Sequence, residues 1–132
     1  MFTPSATRVA FIGSGAVGKA LAVALARTGV PVVAAASRTA QSAHDLAATV
    51  AALAPDAPPV ESHGDAQQAA VDAADCVFIT TFDGAIAEVS ESLSWRPGQA
   101  VVHCSGATTI EALAAAETQG AVVGSLHPLQ AF

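Results

Sequence analysis

Apolar positions along this chain follow two alternating rhythms. Stretches at residues 8–12, 30–36, 76–79, 100–103 and 121–124, apolar but for Arg8 and His103 at their ends, are what strands covered on both faces require. Between them the apolar residues recur at helical spacing. Val17, Leu21 and Leu25 share one face of a helix over 16–28, with Gly29 as its stop. Leu46, Val50 and Leu53 line a second helix that Thr39 can cap and Pro55 ends. Ile86, Val89 and Leu93 line another, with Asp83 placed to cap it. Thr108 and Glu111 stand at capping-box spacing for a helix through Glu117 that Gly120 closes. The proline-rich stretch 54–60 carries the weakest pattern. A short strand around Val60 and Glu61, followed by a helix over 65–73, fits it best. Strands alternating with helices in this way predict an α/β fold: a doubly wound, parallel, six-stranded sheet ordered 3-2-1-4-5-6.

The first strand runs straight into Gly13-Ser14-Gly15-Ala16-Val17-Gly18, a Gly-x-Gly-x-x-Gly turn that opens a helix. In that context the motif reads as a dinucleotide-binding turn. Gly13 permits the tight turn, Gly15 removes the Cβ that would obstruct a pyrophosphate, and Gly18 lets the helix pack closely. Gly13, Ser14, Gly15, Ala16 and Val17 would hold the pyrophosphate at the positive end of the helix. The second strand ends in Ser37-Arg38-Thr39, where an NAD-binding domain would carry a carboxylate for the ribose hydroxyls. Two hydroxyls and a guanidinium there point instead to the 2′-phosphate of NADP. Capping of the next helix by Thr39 is compatible with that role, and a solvated surface arginine is the plain alternative for Arg38.

Composition narrows the setting. The 132 residues suffice for one domain, and the net charge of −6 argues against a nucleic-acid partner. A mean hydropathy of +0.50 raises the question of a membrane. The most apolar stretch, 16–36, is interrupted by Lys19, Arg27 and Gly29-Val30-Pro31, so it predicts no spanning helix. No secretory signal is visible in residues 1–7, and Cys76 and Cys104 read as reduced core residues, so a cytoplasmic location is expected.

Ligands in such sheets lie beyond the carboxyl ends of the strands, where three polar clusters fall. These are Thr80-Thr81-Phe82-Asp83, His103-Cys104-Ser105-Gly106 and Ser125-Leu126-His127-Pro128. Thr81 and Ser105 would lie near the nicotinamide. His127 is the leading acid/base candidate because an imidazole titrates near neutrality, and Ser105 could bond the same substrate group. His103 is a weaker candidate because it lies closer to the buried strand. Cys104 has no activating charge nearby in sequence and reads as packing. His44 and His63 read as surface residues, and no metal-ligand spacing is present.

Several of these segments resemble a known group. The glycine turn with Ser37-Arg38-Thr39, Thr81-Phe82-Asp83-Gly84-Ala85-Ile86, His103-Cys104-Ser105-Gly106-Ala107 and His127-Pro128-Leu129-Gln130-Ala131-Phe132 carry the resemblance, which covers nearly the whole chain. They resemble the N-terminal Rossmann-like domain of a bacterial family of NADP-dependent oxidoreductases, the DUF2520 group, whose members carry a C-terminal helical domain. More distantly the chain is similar to ketopantoate, pyrroline-5-carboxylate and F420-dependent NADP reductases and to prephenate dehydrogenases. In the last, a serine after the fifth strand and a His-Pro histidine act on substrate, and Ser105 and His127 match those places. The resemblance implies hydride transfer between NADP and a small carbonyl, imine or alcohol. It also implies a helical second domain that supplies one wall of the substrate pocket and often makes a homodimer. The sequence leaves three readings: an oxidoreductase domain lacking its helical partner, a non-catalytic NADP(H) sensor or docking module, or an F420-dependent NADP reductase-like domain. The substrate is not legible.

Overall fold

The computed structural model of the chain describes residues 7–13, 15–57, 59–105 and 108–126. Strands β1 (Val9–Ile12), β2 (Val32–Ala36), β3 (Glu61–Ser62), β4 (Cys76–Ile79), β5 (Ala100–His103) and β6 (Val122–Ser125) form one parallel sheet. Its order is β3-β2-β1-β4-β5-β6, as the alternating pattern predicts. Helices α1 (Ala16–Arg27) and α2 (Ala40–Leu53) pack on one face around Phe11, Ala35, Leu46 and Val50. Helices α3 (Gln67–Asp72), α4 (Ile86–Ser92) and α5 (Ala114–Thr118) pack on the other around Ile12, Val77, Ile79, Ile86 and Leu113. The large core side chains are few and alanine fills the gaps between them, so helices approach the sheet closely.

Two strands begin later than their apolar runs suggest, and both shifts have the same cause. At the end of α1, Gly29 N–H donates to Ala26 and Val30 N–H donates to the Leu25 carbonyl, 3.2 and 3.0 Å. That pair of bonds is a Schellman closure, which draws Val30 into the helix end and leaves β2 to start at Val32. Gly120 and Ala121 close α5 in the same way onto Glu117 and Ala116, so β6 starts at Val122. Two expected caps are also corrected. Asp83 lies inside a 3-10 turn, Asp83–Ala85, and makes no capping bond. Thr108 gives way to Thr109 as the residue before the 3-10 turn Ile110–Leu113, because the Thr108 hydroxyl is engaged by Ser105. Thr39 caps α2 as expected, its hydroxyl accepting from Ser42 N–H at 3.3 Å.

The starts of β1 and β4 are tied by Asp75, whose carboxylate takes the Arg8 backbone N–H at 3.1 Å and the guanidinium at 3.1 and 3.3 Å. Hydrogen bonds from Arg8 hold the Asp75 carboxyl below its usual range. A carboxyl whose pKa falls on folding stabilises the fold above its unfolded pKa, near 4, and that contribution fades as pH drops through the folded value. Asp75→Asn should therefore flatten the acid limb of melting temperature against pH, while the wild type keeps its extra loss below about pH 4. Parallel acid limbs for the two proteins would remove this role from Asp75.

One half of the α1 and α2 face lacks a covering helix among the described residues. Cys76, Phe78 and Val102 on that side are half-buried, and Val122 is 60% exposed.

Candidate functional site

Strand order reverses between β1 and β4, and the glycine turn lies at that switch point. Gly13 has φ +98°, and a Cβ there would sit 2.7 Å from the Thr80 carbonyl carbon and 2.8 Å from the Thr81 nitrogen. The Thr80 hydroxyl donates to the Gly13 carbonyl at 2.8 Å, and Thr80 N–H donates to the Ile12 carbonyl at 2.8 Å. A Cβ on Gly18 would lie 2.6 Å from the same hydroxyl and 2.9 Å from the Gly13 carbonyl. The close helix packing expected of Gly18 is thus made against Thr80 of the neighbouring strand end, with the Gly13 carbonyl beside it. Sequence reading did not single out Thr80. Its signal was a hydroxyl residue ending the strand that topology sets beside the glycine turn.

Gly15 differs from its two companions, since a Cβ there would meet none of the described residues within 4 Å. It precedes α1, no side chain caps the helix, and the first turn holds no acidic residue. Among the described residues the early N–H groups of α1 therefore face an open approach, with their partial positive charge unopposed by a side chain. Ala16 is exposed and Val17 half-buried at this end.

Beyond the turn lie two adjoining hollows of about 190 and 310 Å³. The first is lined by Gly13, Gly15, Ser37 and Thr80, the second by Ala85, Glu88, Val89 and Ser92 of the α4 side. Arg38, Gln67, Thr81 and Phe82 belong to both and form the neck between them. The Arg38 guanidinium lies 5.8 Å from the centroid of the exposed Phe82 ring, a cation–π contact. Arg38 has no carboxylate partner among the described residues. The Ser37 N–H donates to Gly64 at 2.6 Å, fixing the end of β2 against the loop before α3. The Thr81 hydroxyl oxygen is buried without a hydrogen-bond partner among the described residues. A buried hydroxyl in that state costs free energy of roughly 1–3 kcal/mol unless a ligand or water completes it.

At the end of β5 the residues organise differently. His103 is fully buried and uses both ring nitrogens. Nδ1 accepts from Ser105 N–H at 3.1 Å, which leaves the proton on Nε2 to donate to the Thr109 carbonyl at 3.1 Å. That imidazole braces the loop after β5 and has no nitrogen left for substrate. Ser105 Oγ donates to Thr108 Oγ1 at 3.0 Å and accepts from Thr108 N–H at 3.1 Å. The serine thus stands at the carboxyl edge, one strand beyond the neck. Burial pushes the thiols of Cys76 and Cys104 up to about 11, so both are protonated at neutral pH, in keeping with packing roles. His63 is half-buried, with Nε2 3.0 Å from Glu61, and is less exposed than expected. Ser14 and His127 lie outside the described residues. Among the described residues no cluster could hold a metal ion, and no helix is long and apolar enough to cross a membrane. A further hollow of about 360 Å³ lies at the opposite, amino-terminal edge, lined by apolar residues and Arg8. It offers no group suited to catalysis.

A doubly wound parallel sheet with a glycine turn at its switch point defines a nucleotide-fold domain. The chain belongs to the Rossmann-like domain family, whose model matches residues 2–128. It is 38% identical over 103 residues to the shikimate dehydrogenase (NADP(+)) of Moorella thermoacetica, covering 74% of this chain and 35% of that one. A Bacteroides fragilis protein provisionally designated an NADP oxidoreductase superposes with a TM-score of 0.75 at 27% identity, over 98% of this chain and 46% of its own. Mycobacterium tuberculosis shikimate dehydrogenase shares the fold, with a TM-score of 0.69 at 22% identity over 89% of this chain and 43% of its own. The chain spans less than half the length of each of these relatives.

Proposed function

We propose that this chain is the NADP-binding domain of an oxidoreductase acting between NADP(H) and a small carbonyl, imine or alcohol. The observation that carries the reading is the neck of the cleft, where the guanidinium of Arg38 has no acidic partner among the described residues, next to Ser37 of the first hollow. The cleft fits such a cofactor in two independent respects. Gly15 leaves room where a diphosphate would meet the α1 N–H groups, and Thr81 offers a buried hydroxyl that a ligand could complete. The pyrophosphate is assigned to Gly13, Ser14, Gly15, Ala16 and Val17, the 2′-phosphate to Ser37, Arg38 and Thr39, and the ribose or nicotinamide side to Thr81. The names of the relatives, an NADP-dependent shikimate dehydrogenase and an NADP oxidoreductase, support the same cofactor.

When bound, NADP(H) would supply or accept the hydride. The chain's own contribution to the chemistry is assigned to Ser105, which would orient the reacting oxygen or nitrogen, and to His127, which would hold or release its proton. Residues 1–132 would form the cofactor half of a two-part protein, with a mainly helical second domain completing the substrate pocket. The relatives' greater length supports that division.

Calorimetric titration of the chain with NADPH and with NADH tests the cofactor assignment. NADPH should bind at least about tenfold more tightly, the contribution expected of one charge-assisted phosphate contact. Equal affinities for the two would remove the assignment.

A further inference from the structure

The two faces of the sheet are clothed unequally. On the α1 and α2 side, lateral register places Cys76, Ala100 and Val122 in one row and Phe78, Val102 and Gly124 in the next. Helices α1 and α2 lie over β1, β2 and β3, where Val9 and Phe11 are buried. Cover thins toward β6: the small Ala100 of β5 is still 9% exposed, Phe78, Val102 and Gly124 are half-buried, and Val122 has 60% of its surface exposed. None of these six residues carries a formal charge, in a chain of net charge −6. A hollow of about 220 Å³ opens between Leu25 of α1 and Cys76 and Phe78 of β4. A Cβ added to Gly124 would meet none of the described residues within 4 Å, so among them the space above β6 is open as well.

Parallel sheets are stable with both faces covered, so this half-face calls for an occupant. Its size indicates what kind. Three strands spaced about 4.8 Å apart and four residues long present a footprint of roughly 190 Å². A stable complex of separate molecules buries about 800 Å² on each partner, several times more. A second copy seated on this patch alone would therefore hold weakly. A tethered segment works at an effective concentration in the millimolar range, and a footprint this small suffices for it. One helix, about 10 Å across, fills the width left between α1 and the β6 edge.

We propose that the β4–β6 half-face seats an α-helix from the same, longer polypeptide, packed alongside α1 through an uncharged face of small and branched side chains. Ala100 and Gly124 set the closest approach, with Val102 and Val122 flanking it. The proposal rests on the reading of this chain as one part of a two-part protein, which the relatives' chains, more than twice the matched length, support.

The test uses the protein expressed from its complete reading frame, carrying Val122→Lys, Val122→Thr or, as a control, Glu117→Lys on the exposed side of α5. Val122→Lys should lower the melting temperature by 5 °C or more. It should also raise the fluorescence of the dye anilinonaphthalene sulfonate severalfold. Val122→Thr, which keeps the branched shape a strand prefers, should produce the same changes at smaller amplitude, separating loss of the helix contact from damage to β6. Glu117→Lys should leave both readings unchanged. A silent Val122→Lys would overturn the proposal, as would a reading frame that ends at Phe132. Sedimentation showing a dimer that Val122→Lys splits would assign the face to a second copy instead. NADPH affinity measured on the same samples keeps the two proposals apart. Its absence in the wild type would remove the cofactor reading, and loss of Val122→Lys stability would still support the helix.

Discussion

Gly13→Ala is expected to cost about 3 kcal/mol of folding stability, well beyond a typical glycine-to-alanine change. Two penalties add. An L-residue held at φ +98° loses roughly 1–2 kcal/mol, and overpacking against a fixed neighbour loses about 1–3 kcal/mol. The neighbour here is the Thr80–Thr81 backbone at 2.7–2.9 Å, which is pinned by its own bonds to Ile12 and Gly13 and has little room to yield. In a domain of this size such a loss lowers the melting temperature by about 10 °C, a large part of the total stability. Gly15→Ala is the informative companion. Its φ of −74° suits alanine and a Cβ would meet none of the described residues within 4 Å, so the melting temperature should stay within about 2 °C. NADPH binding should nevertheless weaken by an order of magnitude or more, because the added methyl occupies the proposed path of the diphosphate. Thermal melts of both variants with NADPH titrations check the pair. An unchanged melting temperature for Gly13→Ala would show that the turn is far softer than its contacts indicate.

Arg38→Ala should abolish the preference for NADPH while leaving NADH affinity within about twofold. Hydrogen bonds to a charged group contribute about 1.5–3 kcal/mol, so the loss for NADPH should be roughly 10- to 100-fold. Arg38→Lys should fall between, since an ammonium keeps the charge but lacks the planar fork that grips a phosphate. The residual preference should also shrink as salt rises, because Arg38 is exposed and its field is screened. The fold should not respond, because among the described residues the guanidinium meets only the exposed ring of Phe82, in a cation–π pair of small energy. Calorimetry at two ionic strengths with both cofactors reads all of this. An equal loss for NADPH and NADH would mean that Arg38 stacks on the shared adenine rather than reading the 2′-phosphate.

The strand order was legible because every strand but β3, which is the exposed pair Glu61–Ser62, falls in a largely apolar stretch, and the connections between strands are helical. What escaped the sequence was local hydrogen-bond competition. The carbonyls of Leu25 and Ala116 draw in Val30 and Ala121, shortening two runs from their amino ends. Ser105 takes the hydroxyl of Thr108, and Asp83 falls within its turn instead of before it, so neither caps a helix. The tight turn was plain from its glycines, yet the residue that fixes it, Thr80, has no motif and acquires its role only when β4 lies beside β1. His103 shows the converse. Its sequence position suggested chemistry, and its two bonds within the β5 loop assign it to structure. The half-covered face was hidden for a further reason. Phe78 and Val102 belong to runs that look as apolar as any other, and burial on one face or on both leaves the same pattern.

The bond from Thr80 to Gly13 joins residues 67 positions apart. The shape of the glycine turn is therefore not a property of the βαβ segment that contains it. Its shape depends on a strand that is synthesised long afterwards and that docks through a crossover, the slowest kind of contact to close. A fragment ending at α2 would carry the complete glycine motif and lack the clamp that sets it. During folding, competence to hold a dinucleotide should arrive together with the central β1–β4 pairing, so the ligand would stabilise the assembled sheet rather than guide its first steps.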